Sequence, residues 1–396
     1  MEFIKPNINI DFIGKRKLAF VLSGLLLLMT VASLFMHGGL NQGIDFAGGI
    51  LVQVRFNQPT DAAAIKKALT PLNMQDSTVQ TFGSEGNEYL IRAEKAGLQL
   101  QGLADRVRAT LKESYPQGFE VRRVEMVGPK VGHDLRRKAL LAIFYAILLI
   151  VVYISGRFEA KWGLSAIMAG VLVGATLLVQ TIFAATGSED GGMVPLIITA
   201  LVVTVGACWL FRLRYALGAI VALIHDVTIT VGVFSLMDKE FTLPIVAALL
   251  TIIGYSLNDT IVVFDRIREN LRKSGRVPLA SVINASVNQT LSRTILTSGT
   301  TIVVVATLWI LGGGVIEDFA FALLIGIIVG TYSSVFVACP VLLLLPEGKT
   351  VSIGVRKRPA AAPAPEPKPE RPVVKKQASV QQKAASRKRK KGRKRR

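Results

Sequence analysis

Asp259 stands in a stretch otherwise suited to lipid, the run from Ile245 to Phe264. A carboxylate at membrane depth costs roughly 3 kcal/mol on insertion scales and persists where it works or is paired. Charged, it needs a cation or water; neutral, it holds a proton. Arg293, at the start of the following apolar run, is the candidate counter-charge. A nearby cation favours the charged form of a carboxylate and desolvation the neutral one. A movement of Arg293 would therefore switch Asp259 between holding and releasing a proton; the alternative is a static ion pair. Tyr255 and Asn258 fall near Asp259 on one helical face, where they could hydrogen-bond the carboxylate or hold water. His225-Asp226 is a second ionisable pair in mid-run, either functional or a helix-pairing hydrogen bond. Asp265-Arg266 and Arg268-Glu269 read as a salt-bridged helix at the membrane surface, with a functional role as the other possibility.

The elements that position these residues are membrane helices. The chain is 51% hydrophobic with a mean hydropathy of +0.46, too apolar for an ordinary soluble domain. Eight runs, at about 18–37, 138–155, 163–185, 193–210, 215–236, 242–264, 295–312 and 318–345, approach the ~20 residues of a crossing. The first follows Lys15-Arg16-Lys17 and lacks a clear small-x-small cleavage site, so it reads as a retained anchor. Basic loops stay in the cytoplasm. Lys5 and residues 15–17, Arg157/Lys161, Arg212/Arg214 and the cluster from Arg266 to Arg276 therefore mark the inner side. The loops at 188–190, 238–240 and 317–318 fall outside. Cys208 and Cys339 lie in apolar runs, without disulfide or metal-ligand spacing. No P-loop is present, which argues against ATP hydrolysis. No cofactor or metal is expected.

Residues 38–137 form one extracytoplasmic domain. Ile50 to Phe56 alternates as a strand, Thr60-Asp61 caps a helix to about Leu72, and Val79–Phe82 with Tyr89–Ala93 reads as a hairpin turning at 83–87. A helix over 98–115 and a strand over 119–126 complete β-α-β-β-α-β, a ferredoxin-like α+β order. No catalytic constellation is seen in it, and His133 reads as a surface or capping residue. Residues 346–396 read as a disordered cytoplasmic tail. Its Pro/Ala-rich part is an extended spacer, and its basic end meets anionic lipid, ribosomal RNA or only solvent. From Glu347 onward there are 18 Lys/Arg against 3 Glu, which is +15 of the net +20.

The segment Gly-Tyr-Ser-Leu-Asn-Asp-Thr-Ile-Val-Val-Phe-Asp-Arg-Ile-Arg-Glu-Asn, residues 254–270, resembles the SecF branch of the SecD/SecF family. Gly43-Ile44-Asp45-Phe46-Ala47-Gly48-Gly49, Val127 to Gly132, Ala222 to Asp226 and Ser292 to Ser298 also resemble family segments. The resemblance covers roughly residues 10–345. It implies a polytopic α-helical membrane protein of the RND half-transporter type, in the bacterial inner membrane. It also implies a SecD partner and action beside the SecYEG translocon on a translocating unfolded polypeptide. The proton-motive force would aid late translocation and release, with Asp259 and Arg293 tied to proton passage. The reading is non-enzymatic. Its rivals are an RND-type small-molecule or lipid exporter and a non-coupled scaffold for translocon assembly. Gly48-Gly49 is a turn and not a phosphate loop, because it opens no helix.

The chain departs from the family between Arg157-Phe158-Glu159 and Ala216 to Ile220, which are nearly adjacent in typical members with six spans. Two extra apolar runs intervene, so an inserted helical hairpin is expected at about 160–212. Lys161 to Ile167 echoes Arg214 to Ile220, which points to local duplication. With no ionisable residue between Trp162 and Gly187, the hairpin belongs at the bundle periphery, facing membrane lipid or a partner.

Overall fold

The computed structural model describes residues 8–72, 77–82, 86–93, 102–186, 193–273 and 277–345. Part of the expected turn at 83–87, the first turn of the helix expected from Leu98, the 188–190 loop and the tail lie outside these. The described residues form one compact unit.

Helix α1 (Arg16–Met36) leads into the short α2 (Ile44–Ala47) and then into a small domain. Its elements are β1 (Gly49–Phe56), α3 (Ala62–Ala68), β2 (Thr78–Phe82), β3 (Glu88–Ala93), α4 (Leu103–Ser114) and β4 (Phe119–Val127). The sheet order is β2-β3-β1-β4, antiparallel throughout, the ferredoxin-like arrangement expected from the order of elements. Alternation along β1 turns Val52, Val54 and Phe56 to one face, where they are buried with Ile65, Leu69, Ile91, Val107 and Leu111. Gln53 and Arg55 take the other face, as the two-residue period requires. Burial and the nearby Asp61 carboxylate push the Tyr89 phenol above its usual range, so it stays a hydroxyl donor to Thr60 O.

Two features tie the domain to the bundle. Gly48 turns from α2 into β1 at φ 74°. A Cβ there would lie 2.9 Å from Pro129 Cα, at the start of α5, so both its conformation and its surroundings require glycine. The buried Arg92 reaches Asn41 Oδ1 (3.3 Å), the Gln42 carbonyl and Glu240 (3.5 Å).

Helices α5 (Pro129–Glu159), α6 (Trp162–Thr186), α7 (Met193–Leu210), α8 (Arg214–Leu236), α9 (Leu243–Lys273), α10 (Leu279–Leu311) and α11 (Gly314–Ser333) follow. A π-helical turn, Ser334–Ala338, and the short α12 (Cys339–Val341) continue α11. Among the described residues six helices are long and apolar enough to cross a membrane: α1, α5, α8, α9, α10 and α11 with its continuation to Val341. The eight expected runs differ from this only at α6 and α7. Both form as apolar helices, of 25 and 18 residues.

Helix α1 buries only Ala19, Ser23, Thr30 and Ser33. Small and hydroxyl side chains let membrane helices approach closely, and packing takes the place of the hydrophobic effect. Ser33 Oγ lies 2.8 Å from Ser235 Oγ on α8. Ser33→Ala is expected to weaken this contact by about 0.6 kcal/mol, read as a small fall in resistance to detergent unfolding. A loss of several kcal/mol would show that the bond has a larger role.

The loops divide by side. Those at 237–242 and 312–318 meet the domain, with Lys239 paired to Asp318 at 2.5 Å. On the opposite side Arg157 pairs with Asp265 (3.1 Å), and Arg268 donates to the Arg157 carbonyl (3.0 Å). There too the Asn284 side chain accepts from Phe12 N–H (2.8 Å) and Asn288 from Ile10 N–H (2.9 Å), which fastens the segment before α1 to α10.

Helices α6 and α7 pack on each other and on α5 and α8. The chain ends that flank them meet directly. Phe158 stacks on Tyr215 with centroids 5.2 Å apart, both against Phe264. Glu159 Oε1 accepts the Tyr215 N–H at 2.9 Å, satisfying one of the free donors of the α8 N-terminus.

Candidate functional site

Asp259 lies midway along α9 and is 3% exposed. Its Oδ2 accepts from Ser298 Oγ of α10 at 3.0 Å. Thr331 Oγ1 of α11 donates either to Ser298 Oγ (2.8 Å) or back to the Ile327 carbonyl (2.7 Å). A hydroxyl both donates and accepts, so this set serves a charged carboxylate and a protonated one alike. Arg293 lies five residues from Ser298 on α10, about 7.5 Å along the axis, and its side chain is exposed. It forms no ion pair with Asp259 within 4 Å. Arg293 also falls well inside α10, which begins at Leu279, and not at a helix start.

The flanking residues expected to serve the carboxylate point elsewhere. Tyr255 Oη donates to α10, at the Thr297 carbonyl or Thr301 Oγ1, both 3.1 Å away. Asn258 is exposed. One residue of helix turns the side chain by about 100°, so burying Asp259 turns Asn258 outward.

His225 and Asp226 form a second polar centre, 4% and 0% exposed. His225 Nδ1 lies 2.9 Å from Asp226 Oδ1, and its Nε2 lies 3.0 Å from Ser23 Oγ of α1. Asp226 Oδ2 accepts from Ser256 Oγ of α9 (2.6 Å) and Ser333 Oγ of α11 (2.7 Å). Gly330 allows this: a Cβ there would lie 2.9 Å from Ser256 Cβ, so α11 approaches α9 closely. The π turn begins directly after Ser333, and such defects recur at functional sites.

The two centres share helices. Ser256 precedes Asp259 by one turn of α9, and Thr331 and Ser333 are neighbours on α11. Sequence reasoning singled out both carboxylates but gave no role to Ser23, Ser256, Ser298, Thr331 or Ser333. Hydroxyls are common in membrane helices, and their partners here are 30 to 202 residues away in the chain, with no local signal to mark them.

Asp265 and Arg266 sit apart from both centres. Asp265 pairs with Arg157, while Arg266 donates to Gln289 Oε1 (2.6 Å) and Glu269 (2.7 Å). All are solvent-accessible, where such pairs contribute little. His133 is exposed on the first turns of α5. Cys208 and Cys339 are buried free thiols.

The model for the protein export membrane protein SecD/SecF C-terminal family matches residues 106–206 and 188–348. A second, for the SecD/SecF GG motif, matches residues 33–60. The chain is 44% identical over 353 residues to the protein translocase subunit SecF of Magnetococcus marinus, covering 87% of this chain and 94% of that one. It is 39% identical over 347 residues to the subunit of the same name from Vibrio alginolyticus, covering 87% and 92%. Among solved structures, SecDF of Thermus thermophilus superposes with a TM-score of 0.65 at 29% identity, over 86% of this chain. SecDF in its super-membrane-facing form gives 0.54 at 30% identity, over 87%. In both cases this chain spans 39% of the matched one.

Proposed function

The chain belongs to the SecD/SecF family of protein-export membrane proteins, and from that premise we propose that it is a non-enzymatic, proton-coupled subunit of the Sec translocase. In this reading it works with SecD beside SecYEG in the bacterial inner membrane. Its small domain lies outside and both termini lie in the cytoplasm. Inward proton flow drives a movement that aids late translocation and release of the unfolded polypeptide.

The observation that carries the reading is Asp259, buried in an apolar bundle with a hydroxyl as its hydrogen-bonding partner. A permanently structural carboxylate would be held by a cation, since an unpaired buried charge is costly. Asp259 is instead fit to be neutral in one state and charged in another. Arg293 supplies the counter-charge when α10 shifts against α9. The exposed side of α10 supports a partner there: Arg293, Thr297 and Thr300 fall within about 60° of one another around the helix. A polar strip at membrane depth calls for a protein neighbour more than for lipid, and SecD is that neighbour in this reading.

Helices α6 and α7 are an inserted hairpin. The meeting of Glu159 with Tyr215 at its base supports this, as does the family match in two pieces that overlap within it. A hairpin returns the chain to the side it left, so Asp259 keeps its orientation. The basic tail is proposed to meet anionic lipid or ribosome.

The test is gradient-dependent export of a secreted reporter in membrane vesicles containing SecD and this chain. Asp259→Asn keeps the shape and removes the titration. It is expected to abolish the gradient-dependent component, with membrane level and SecD association unchanged. Undiminished export would leave the chain as a scaffold, the rival reading.

A further inference from the structure

We propose that His225, held by Asp226, is a second proton-binding site, one that acts in series with Asp259 and sets how α1 docks on the bundle. The proposal rests on the proton-coupled reading above.

Asp226 already receives three hydrogen-bonding groups, from His225 Nδ1, Ser256 and Ser333. All three can donate to a carboxylate, which leaves the imidazole, at Nε2, as the position that can take a proton. In the neutral state Nδ1–H faces Asp226 and Nε2 accepts from the Ser23 hydroxyl. Taking one proton from water at Nε2 makes the imidazolium, and the net charge of the pair goes from −1 to zero.

The protonated Nε2–H must then donate to Ser23 Oγ. The Ser23 hydroxyl hydrogen turns to Tyr332 Oη, 3.2 Å away, and Tyr332 in turn donates to the Ala19 carbonyl of α1 at 2.8 Å. Both states are satisfied by rotating one hydroxyl, with no heavy atom displaced. In the protonated state α1 is held through a continuous chain from Asp226 to Ala19, with His225 also stacked on Tyr332. In the neutral state the Ser23 hydrogen goes to Nε2, and Tyr332 can donate to Ser23 Oγ only by giving up the Ala19 carbonyl, so one bond between α1 and α11 is lost. Proton loss therefore loosens α1 and α11 together.

The coupling to Asp259 follows from shared helices. Asp226 holds α9 and α11 through Ser256 and Ser333, and Asp259 holds α10 and α11 through Ser298 and Thr331. Any tilt of α11 that releases one carboxylate strains the bonds of the other. The ionisable groups on the elements packed around this level are few. They are Tyr255 and Asp259 on α9, Tyr332 on α11, Tyr145 and Tyr153 on α5, Cys208 on α7 and Cys339 after the π turn, with none on α1 between Leu18 and Met36. Beyond Asp226 itself, Asp259 is the one carboxylate among them.

The test uses the full chain with SecD in lipid nanodiscs, 15N-labelled at histidine. The chain has three histidines, His37, His133 and His225, so His225→Gln assigns the third signal. The expected result is a His225 signal that passes between neutral and imidazolium patterns as the pH is changed. Its response moves in Asp259→Asn and again in Ser23→Ala, a variant that leaves both carboxylates in place. Gradient-driven export is expected to fall about tenfold in His225→Gln, about 1.4 kcal/mol in barrier. A His225 signal fixed in one state, or indifferent to Asp259→Asn, overturns the proposal and leaves the Asp259 reading standing. Undiminished export in Asp259→Asn is the separate failure of that earlier reading, and it does not depend on the histidine signal.

Discussion

Replacing Asp226 by alanine is expected to destabilise the bundle by about 3–5 kcal/mol, because it leaves three buried hydrogen-bonding groups unmatched at about 1–3 kcal/mol each. The side chain is wholly buried and joins three helices, through His225 on its own helix α8, Ser256 on α9 and Ser333 on α11. Alanine leaves an imidazole and two hydroxyls facing a void. A single interhelical hydrogen bond in a membrane averages about 0.6 kcal/mol, so the larger figure requires the three to act as one network around a charge. Asp226→Asn separates the two cases. Asparagine keeps the volume and one acceptor oxygen, and its amide can donate to a serine hydroxyl that turns to accept. It should lose well under half of what alanine loses. Unfolding in mixed micelles, monitored by tryptophan fluorescence, measures both, since Trp162, Trp209 and Trp309 all lie on bundle helices. Equal losses for the two variants would reduce the site to packing.

Phe56→Ala is expected to cost the small domain about 3–5 kcal/mol. The ring is 2% exposed and meets Tyr115 at 4.7 Å, Tyr89 at 5.8 Å and Phe119 at 6.1 Å between centroids. It therefore closes one end of the core between β1, β3 and β4. A domain of this size has only about 5–15 kcal/mol of stability in total, so this truncation removes a large share. Hydrogen exchange should rise across the β1 and β3 amides. The α9–α11 amides around Asp259 should keep their protection, because the domain meets the bundle through Gly48 and Arg92 and not through Phe56. Loss of protection in both places would mean that domain and bundle unfold as one. Export should fail in this variant even though both carboxylates are intact.

Much of this protein was legible locally. The two-residue alternation of Ile50 to Phe56 foretold β1 and which of its side chains are inside. The element order foretold a ferredoxin-like sheet, because antiparallel pairing of two β-α-β halves has few solutions. The apolar runs foretold the six long helices and the additional pair between Glu159 and Arg214. The exceptional residues in those runs, Asp259 and His225-Asp226, were conspicuous because an ionisable group is costly where its neighbours are all apolar. The motif around Asp259 also carried the family.

The chain alone marked the membrane helices, the carboxylates within them and the family they belong to. All of these follow from residue type and short-range spacing. The contacts of each carboxylate came from the packing of the helices. It turned Tyr255 toward α10 and Asn258 outward, and it gave Asp259 a serine in place of an arginine. It also raised His225-Asp226 from a pair within one helix to a centre joining four. Those outcomes depend on which faces of α1, α8, α9, α10 and α11 pack together. That packing is set by small residues such as Gly330 and by hydroxyls such as Ser23. Such residues have no periodic signature, and they matter only once a distant helix has come within reach.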